Sequence, residues 1–353
     1  MANTLQNGLQ GIVAAETRLS MVDGERGELI IAGRRLQDLA SSTFEDAVAL
    51  LWKTAGISAR TQIRSLPSRT EMLLQSAASD GVQPMDALRM AAGSLVAASD
   101  AEAAEVLLGS VPTIVAAYWR LSFSREPIAP RQNLGIAANY LYMLTGAEPH
   151  PEHVRGLETY LNTVIDHGLN ASTFTARVIA STGSDLVSAI VGAIGALKGP
   201  LHGGAPGPAL DMVFAIGEAS RAEAALREKI EAGERLMGFG HRVYKVRDPR
   251  ADVLEEAARR LFTRAGDMHL YELATAVETT ALRLLEEYKP GRRLQTNVEF
   301  YTALLLHGLG LEVPLFTPTF AIGRVAGWIA HCFEQRAVGK LIRPESVYVG
   351  EKP

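Results

Sequence analysis

The stretch "STFEDAVALLWKTAG" at residues 42–56 carries a whole helix signature in one short run. Ser42 or Thr43 offers an N-cap oxygen, Glu45 and Asp46 put negative charge in the first turn, and Gly56 stops the run. The same punctuation recurs, and further helices are expected over 68–80, 84–98, 101–121, 131–145, 152–166, 171–182, 185–197, 207–217, 221–232, 249–263, 267–287, 298–309 and 318–337. Between them, Gly and Pro cluster in loops such as "PHPEH", "GPLHGGAPGP" and "YKPGRR". Only "VDGERGELIIAG" reads as β, with an Asp23-Gly24 turn before Leu29-Ile30-Ile31. The expectation is an all-α, multihelical fold with at most a small N-terminal β-hairpin. No fixed repeat period or low-complexity tract interrupts it.

A chain of 353 residues exceeds what one core usually accommodates, so two lobes are expected. The Gly/Pro cluster at 199–208 is the hinge candidate, because the charged region 218–295 differs from the apolar 171–197. Hydrophobic residues at 47% and charged residues at 21% fit a globular protein rather than a disordered one. A net charge of −4 with scattered bases argues against nucleic-acid binding. Cys332 is the single cysteine, which excludes an intrachain disulfide. The start "MANTLQNGLQGIVAAETRLS" has no secretory pattern, and the apolar run 186–199 is too short to span a bilayer. A cytoplasmic, membrane-free setting is expected.

Three histidines sit among glycines and other small residues: His167 in "DHGLNAST", His202 in "GPLHGGAPG" and His241 in "MGFGHRVYKVRDPRA". Small neighbours leave an imidazole edge open and let backbone approach a ligand, although a loop or capping histidine has the same look. Arg242, Lys245, Arg247 and Arg250 follow His241 closely. They read either as a solvated basic loop or as an anion site in which guanidinium forks hold carboxylates. Arg324 lies among small and apolar residues, where an arginine is costly unless paired. No metal is expected, since H-E-x-x-H, C-x-x-C and aspartate-rich loops are missing, as are nucleotide-binding and G-x-S-x-G motifs. His150, His153, His269, His307 and His331 read as ordinary loop or helix residues.

Taken together, these motifs resemble the citrate synthase family, in order and over essentially the whole chain. "GLQGIVAAETRLSMVDGERGELIIAG" is similar to the family's N-terminal segment, "DHGLNASTFTARVIAST" to its oxaloacetate-histidine region, and "GPLHGGAPG" and "GFGHRVYKVRDPRA" to its two catalytic-histidine loops. "NVEFYTALLLHGLGLEVPLFTPTFAIGRVAGWIAHCFEQ" resembles the base-bearing helix with the segment C-terminal to it, and "LIRPESVYVG" the C-terminal Arg-Pro segment. The resemblance implies an all-α homodimer, with a large domain of 1–203 plus 305–353 and a small domain of 204–304 that closes over the cleft. It also implies an acyltransferase of the citrate (Si)-synthase type, acting in the tricarboxylic acid cycle. Acetyl-CoA would be a co-substrate and no cofactor would be bound permanently.

By that resemblance Glu299 is the base, His202 the donor to the enolate oxygen, and His241 the group that polarises the oxaloacetate ketone and supplies a proton to it. His167 would orient oxaloacetate while Arg250, Arg324 and Arg343 hold its carboxylates, Arg343 reaching in from the partner subunit. Met237, Gly238, Phe239 and Gly240 resemble the adenine-contacting loop, with Lys245 or Arg247 meeting the coenzyme A phosphates. The family usually has aspartate where this chain has Glu299, and the extra methylene can displace the carboxylate by more than ~1 Å. Two alternatives are a 2-methylcitrate synthase using propionyl-CoA and a catalytically weak acyl-CoA-binding or regulatory paralogue. Asn297 is expected to cap the helix that carries Glu299, whose dipole would keep the carboxylate ionised at neutral pH.

Overall fold

The computed structural model describes residues 7–9, 11–203 and 206–351. Among them the strands form one small antiparallel sheet near the N-terminus, β1 (Ser20–Asp23), β2 (Glu28–Ile31) and β3 (Arg34–Arg35), and a single β-bridge joins Phe239 to Thr296. Ser20 pairs with Ile31 and Asp23 with Glu28, so the expected hairpin is present and gains a third, two-residue strand. Asp23 shapes its turn by accepting the Glu25 and Arg26 amides on Oδ1.

Everything else regular is helical. The first half holds α1 (Leu36–Ala40), α2 (Phe44–Thr54), α3 (Ser68–Ser79), α4 (Pro84–Ala92), α5 (Asp100–Leu121), α6 (Ile136–Thr145), α7 (Pro151–Val164) and α8 (Ala171–Ser181). The second holds α9 (Leu186–Leu197), α10 (Pro206–Ile216), α11 (Ala222–Glu231), α12 (Pro249–Ala265), α13 (His269–Tyr288), α14 (Val298–Gly308) and α15 (Phe316–Val338). Thr43, not Ser42, caps α2, its hydroxyl accepting the Asp46 amide. α6 starts later than expected, because the Asn139 side chain bonds Arg131 N, Arg131 O and Leu134 O and holds 131–134 as a loop. α4 ends at Ala92, short of the expected 98, with Gly93 at its C-cap. At five residues α1 is too short for a periodic signal; Asn162 Nδ2 stabilises its end by donating to Leu39 O and Ser42 O. Of the expected hinge, Gly204 and Ala205 lie outside the described residues.

The core is organised on α15, which packs against α5, α7, α8 and α9 and is buried over most of its length. Small residues let it approach closely: a Cβ at Gly327 would lie 2.2 Å from Ile165 O, and one at Gly323 2.7 Å from Val164 Cγ2. That closeness brings Arg324 onto the C-terminal end of α7. α5 is apolar and long enough to cross a membrane, yet most of it is buried against α3, α4, α6 and α15, as in a core helix. α14 and α15 meet at a sharp bend of 120°. The bend carries the chain from the helix of Glu299 to the helix of Arg324.

Candidate active site

Six of the residues singled out in the sequence line one cleft, a cavity of about 150 Å³: His167, His202, His241, Arg250, Glu299 and Arg324. They come from the loop after α7, the loop after α9, the segment leading into α12, the first turn of α12, the first turn of α14, and α15. The volume lies below the ~300 Å³ at which drug-sized pockets begin, so it suits a compact metabolite.

Local hydrogen bonds fix the His241 ring. The amides of Val243 and Tyr244 both donate to Nδ1, each at 3.1 Å, so Nδ1 is an acceptor and the proton sits on Nε2. Burial first, then the Arg250 charge, lower its pKa to about 4, against a smaller opposing effect of Asp248. Nε2–H therefore stands 3.4 Å from Arg250 Nη2, which can only donate. Two donors converge there, an arrangement that calls for a shared anionic or carbonyl oxygen. His167 lies edge-on to His241, with ring centroids 5.8 Å apart, and its Nε2 meets the buried Tyr244 hydroxyl at 3.1 Å. Burial, then Arg250, Arg324 and His241, hold the His167 pKa well below the ordinary value.

His202 is oriented by a hydroxyl the sequence did not single out. Ser172 Oγ lies 2.8 Å from His202 Nε2 and 2.8 Å from Asn170 Oδ1, while Trp328 Nε1 donates to it at 3.1 Å. The hydroxyl has one proton, which goes to Asn170 Oδ1 while His202 Nε2–H donates to Oγ; a turn of the hydroxyl toward Nε2 moves the ring N–H to the other nitrogen. Burial and then Arg324 lower the His202 pKa to about 4, so the ring is neutral at pH 7.

The two cleft arginines are held differently. Arg250 forms a buried two-pronged pair with Asp248, Nε to Oδ1 at 3.0 Å and Nη2 to Oδ2 at 2.7 Å. Asp248 also caps α12 through the Arg250 amide and accepts the Val298 amide at 3.3 Å. It thus joins the start of α12 to the start of α14. Arg324 is fully buried yet forms no ion pair among the described residues; its Nε donates to Val164 O and its guanidinium lies 4.7 Å from the Phe320 ring. Burial lowers its pKa only to about 10, so it stays charged at neutral pH and has capacity for an anion.

Asn297 caps α14 as expected, its Oδ1 accepting the Glu299 amide at 3.0 Å. The expected consequence for Glu299 is reversed. Burial raises its pKa to about 7, with Arg250 opposing and Asp248 adding to the rise, so the helix dipole does not keep it fully ionised at neutral pH. A carboxylate titrating there can both take and return a proton.

The remaining candidates lie elsewhere. Arg343 is exposed on the segment after α15 and does not line this cleft. The Met237–Gly240 segment is bound to the entry of α14: Gly240 N donates to Gln295 O, Asn297 N to Gly238 O, and Asn297 Nδ2 to Gly240 O. Lys245 is exposed, whereas all three guanidinium nitrogens of Arg247 bond carboxylates, those of Asp252, Glu278 and Glu255. His331 is no ordinary helix residue. It is fully buried, with Nε2 at 3.1 Å from Asp166 and Nδ1 at 3.1 Å from Arg177, directly behind the His167 loop.

The shifts oppose each other in a measurable window. Histidines depressed from 6.5 to about 4 contribute stability that is complete above pH 6.5 and lost as pH falls through 4. Glu299, raised from 4.5 to about 7, contributes stability that is complete below pH 4.5 and lost as pH rises through 7. Between pH 4.5 and 6.5 the three depressed histidines of the cleft, His167 with His202 and His241, act against two carboxyls raised by burial to about 7, Glu299 and Glu158, so the urea midpoint is expected to rise with pH there, and to rise more steeply in Glu299→Gln. An unchanged slope in that variant would contradict the raised carboxyl.

Known proteins share this sequence and architecture. The family model described as citrate synthase, C-terminal domain, matches residues 8–345. A citrate synthase of Synechocystis sp. is 39% identical, over 98% of this chain and 91% of that protein. The crystal structure of citrate synthase from Pyrobaculum aerophilum superposes with a TM-score of 0.88 at 35% identity, covering 98% of this chain and 92% of the other. The Thermoplasma acidophilum citrate synthase, solved as a ternary complex with carboxymethyl coenzyme A and oxaloacetate, gives 0.86 at 28% identity, covering 99% of this chain and 97% of that one. With family model, relatives and solved structures agreeing over nearly its full length, the chain belongs to the citrate synthase family.

Proposed function

We propose that this protein condenses acetyl-CoA with oxaloacetate and hydrolyses the resulting citryl thioester to citrate and coenzyme A. The observation that carries the reading is the pair of converging donors, His241 Nε2–H and Arg250 Nη2, in a cleft that also holds a carboxyl titrating near 7. Ionised Glu299 takes a proton from the acetyl methyl group, and a neutral His202 N–H stabilises the enolate oxygen. The enolate carbon attacks the oxaloacetate ketone. The developing alkoxide is met by His241 Nε2–H and Arg250, and His241 supplies a proton to it. The proton that Glu299 took from the methyl group then restores the neutral His241 ring, so that both groups end as they began. Arg250 and Arg324 hold the substrate carboxylates and His167 orients them. Water then cleaves the thioester, releasing coenzyme A.

Two lobes, 1–203 plus 305–353 and 204–304, are proposed to close over this cleft, which takes its lining from both segments. Closure excludes water from the enolate. A homodimer is proposed, with Arg343 completing the neighbouring cleft. In support, Arg343 lies outside the cleft of its own chain, and its segment exposes Leu341, Val347, Tyr348 and Val349. Coenzyme A is proposed to contact the backbone of Met237–Gly240 and to place a phosphate near Lys245. Arg247 is left out because each of its three guanidinium nitrogens already bonds a carboxylate.

Thiol release from acetyl-CoA is expected only when oxaloacetate is present. Propionyl-CoA in the same assay separates citrate from 2-methylcitrate synthesis, and one methylene is typically worth about 10–200-fold in kcat/KM. No release with either thioester, from folded protein, would overturn the enzyme reading in favour of a binding or regulatory role.

A further inference from the structure

We infer that the N-terminal hairpin is a positioning element for two of the cleft histidines, Gly24 setting the His241 loop and Ser20 the His167 loop. Gly24 lies in the turn between β1 and β2, against the loop that follows His241. Its carbonyl accepts the Lys245 amide at 2.9 Å, and a Cβ on it would lie 2.3 Å from Val243 O and 2.8 Å from Val243 C. No flexible side-chain end could yield there, since both atoms are backbone. The clamped residues flank the Val243 and Tyr244 amides that hold His241 Nδ1 as an acceptor. The hairpin therefore acts on the His241 proton through one loop: displacing residue 243 moves the amides that keep the proton on Nε2.

The second arm comes from the start of β1. Ser20 Oγ donates to Asp166 Oδ2 at 2.5 Å and accepts the Gly168 amide at 2.9 Å, bracketing His167 on both sides. Asp166 is braced from behind by His331, which contacts Arg177. One short ribbon thus touches loops far apart in sequence and holds both against the same cleft.

The test is Gly24→Ala, read in two ways. Selective ¹⁵N-histidine NMR, with the His241 signal assigned by its loss in His241→Ala, is expected to show the Nε2–H form in the parent protein. In Gly24→Ala a mixed tautomer is expected, with titration displaced upward from about 4. kcat is expected to fall about 10- to 100-fold, as for a sub-ångström to ångström misplacement, while KM for oxaloacetate changes less. Met21→Ala, an exposed neighbour on β1, should change neither quantity. Should Gly24→Ala fail to fold, Asp23→Ala unties the turn without adding an atom and is read by the same measures. A folded variant with an unchanged His241 spectrum and unchanged kcat overturns the inference. Only the kcat arm rests on the proposed reaction; a shifted spectrum in a protein without turnover would support the hairpin's role and sink the reaction instead.

Discussion

Glu299→Gln is expected to lower kcat by about 10²–10⁴-fold, the span associated with removing a positioned general base. Glutamine keeps the length and the helix position while abolishing proton acceptance. The α14 cap is made by the Asn297 side chain to the residue 299 amide and survives the change. In the parent protein kcat/KM should fall below a pH of about 7, tracking the raised carboxyl, and that limb should vanish from the residual activity of the variant. A residual rate within a few-fold of the parent would remove Glu299 from the chemistry. Glu299→Asp is the finer probe. It places there the residue that the family resemblance implies, and if the cleft is built around the longer side chain, withdrawal by ~1 Å costs about 10²-fold.

His241→Ala is expected to cost about 10²–10³-fold in kcat, the scale of losing one donor to a developing oxyanion. The loss should exceed any effect on oxaloacetate affinity, because Arg250 and Arg324 remain to hold carboxylates. The Val243 and Tyr244 amides lose their acceptor, so a modest drop in melting temperature is also expected. Unchanged turnover in folded protein would exclude His241 from the mechanism.

Much of this fold could be read from local signals. Thr43, Asn170, Asp185 and Asn297 each cap the helix directly after them, and an oxygen at such a position marks a boundary without reference to the rest of the chain. α1 and the late start of α6 could not be read that way, since Asn162 and Asn139 enforce them through side-chain bonds outside the helical pattern. In the cleft, small residues around the three histidines mark loops that the fold brings together. Ser172, Tyr244, Asp248 and His331 escaped, because what each does depends on a tertiary partner. Ser172 acquires its meaning only beside His202 and Trp328. Glu299 illustrates the converse: its helix position was legible, but the desolvation that decides its protonation is set by the packed cleft around it.

Asp248 has a consequence for how this sequence can vary. Its two oxygens receive four nitrogens, the Arg250 amide and Nε on one, Arg250 Nη2 and the Val298 amide on the other. A carboxylate has about four lone-pair sites, so the group is saturated. Asparagine would confront two of those donors with an NH₂, and glutamate would carry the charge past them. Neither of these two conservative replacements keeps all four bonds, so a change at position 248 disturbs Arg250 and the entry of α14 together. Heritable change in this cleft is channelled to residues that touch fewer partners, and Glu299, held among the described residues through its amide to Asn297 rather than through its carboxyl, is one of them.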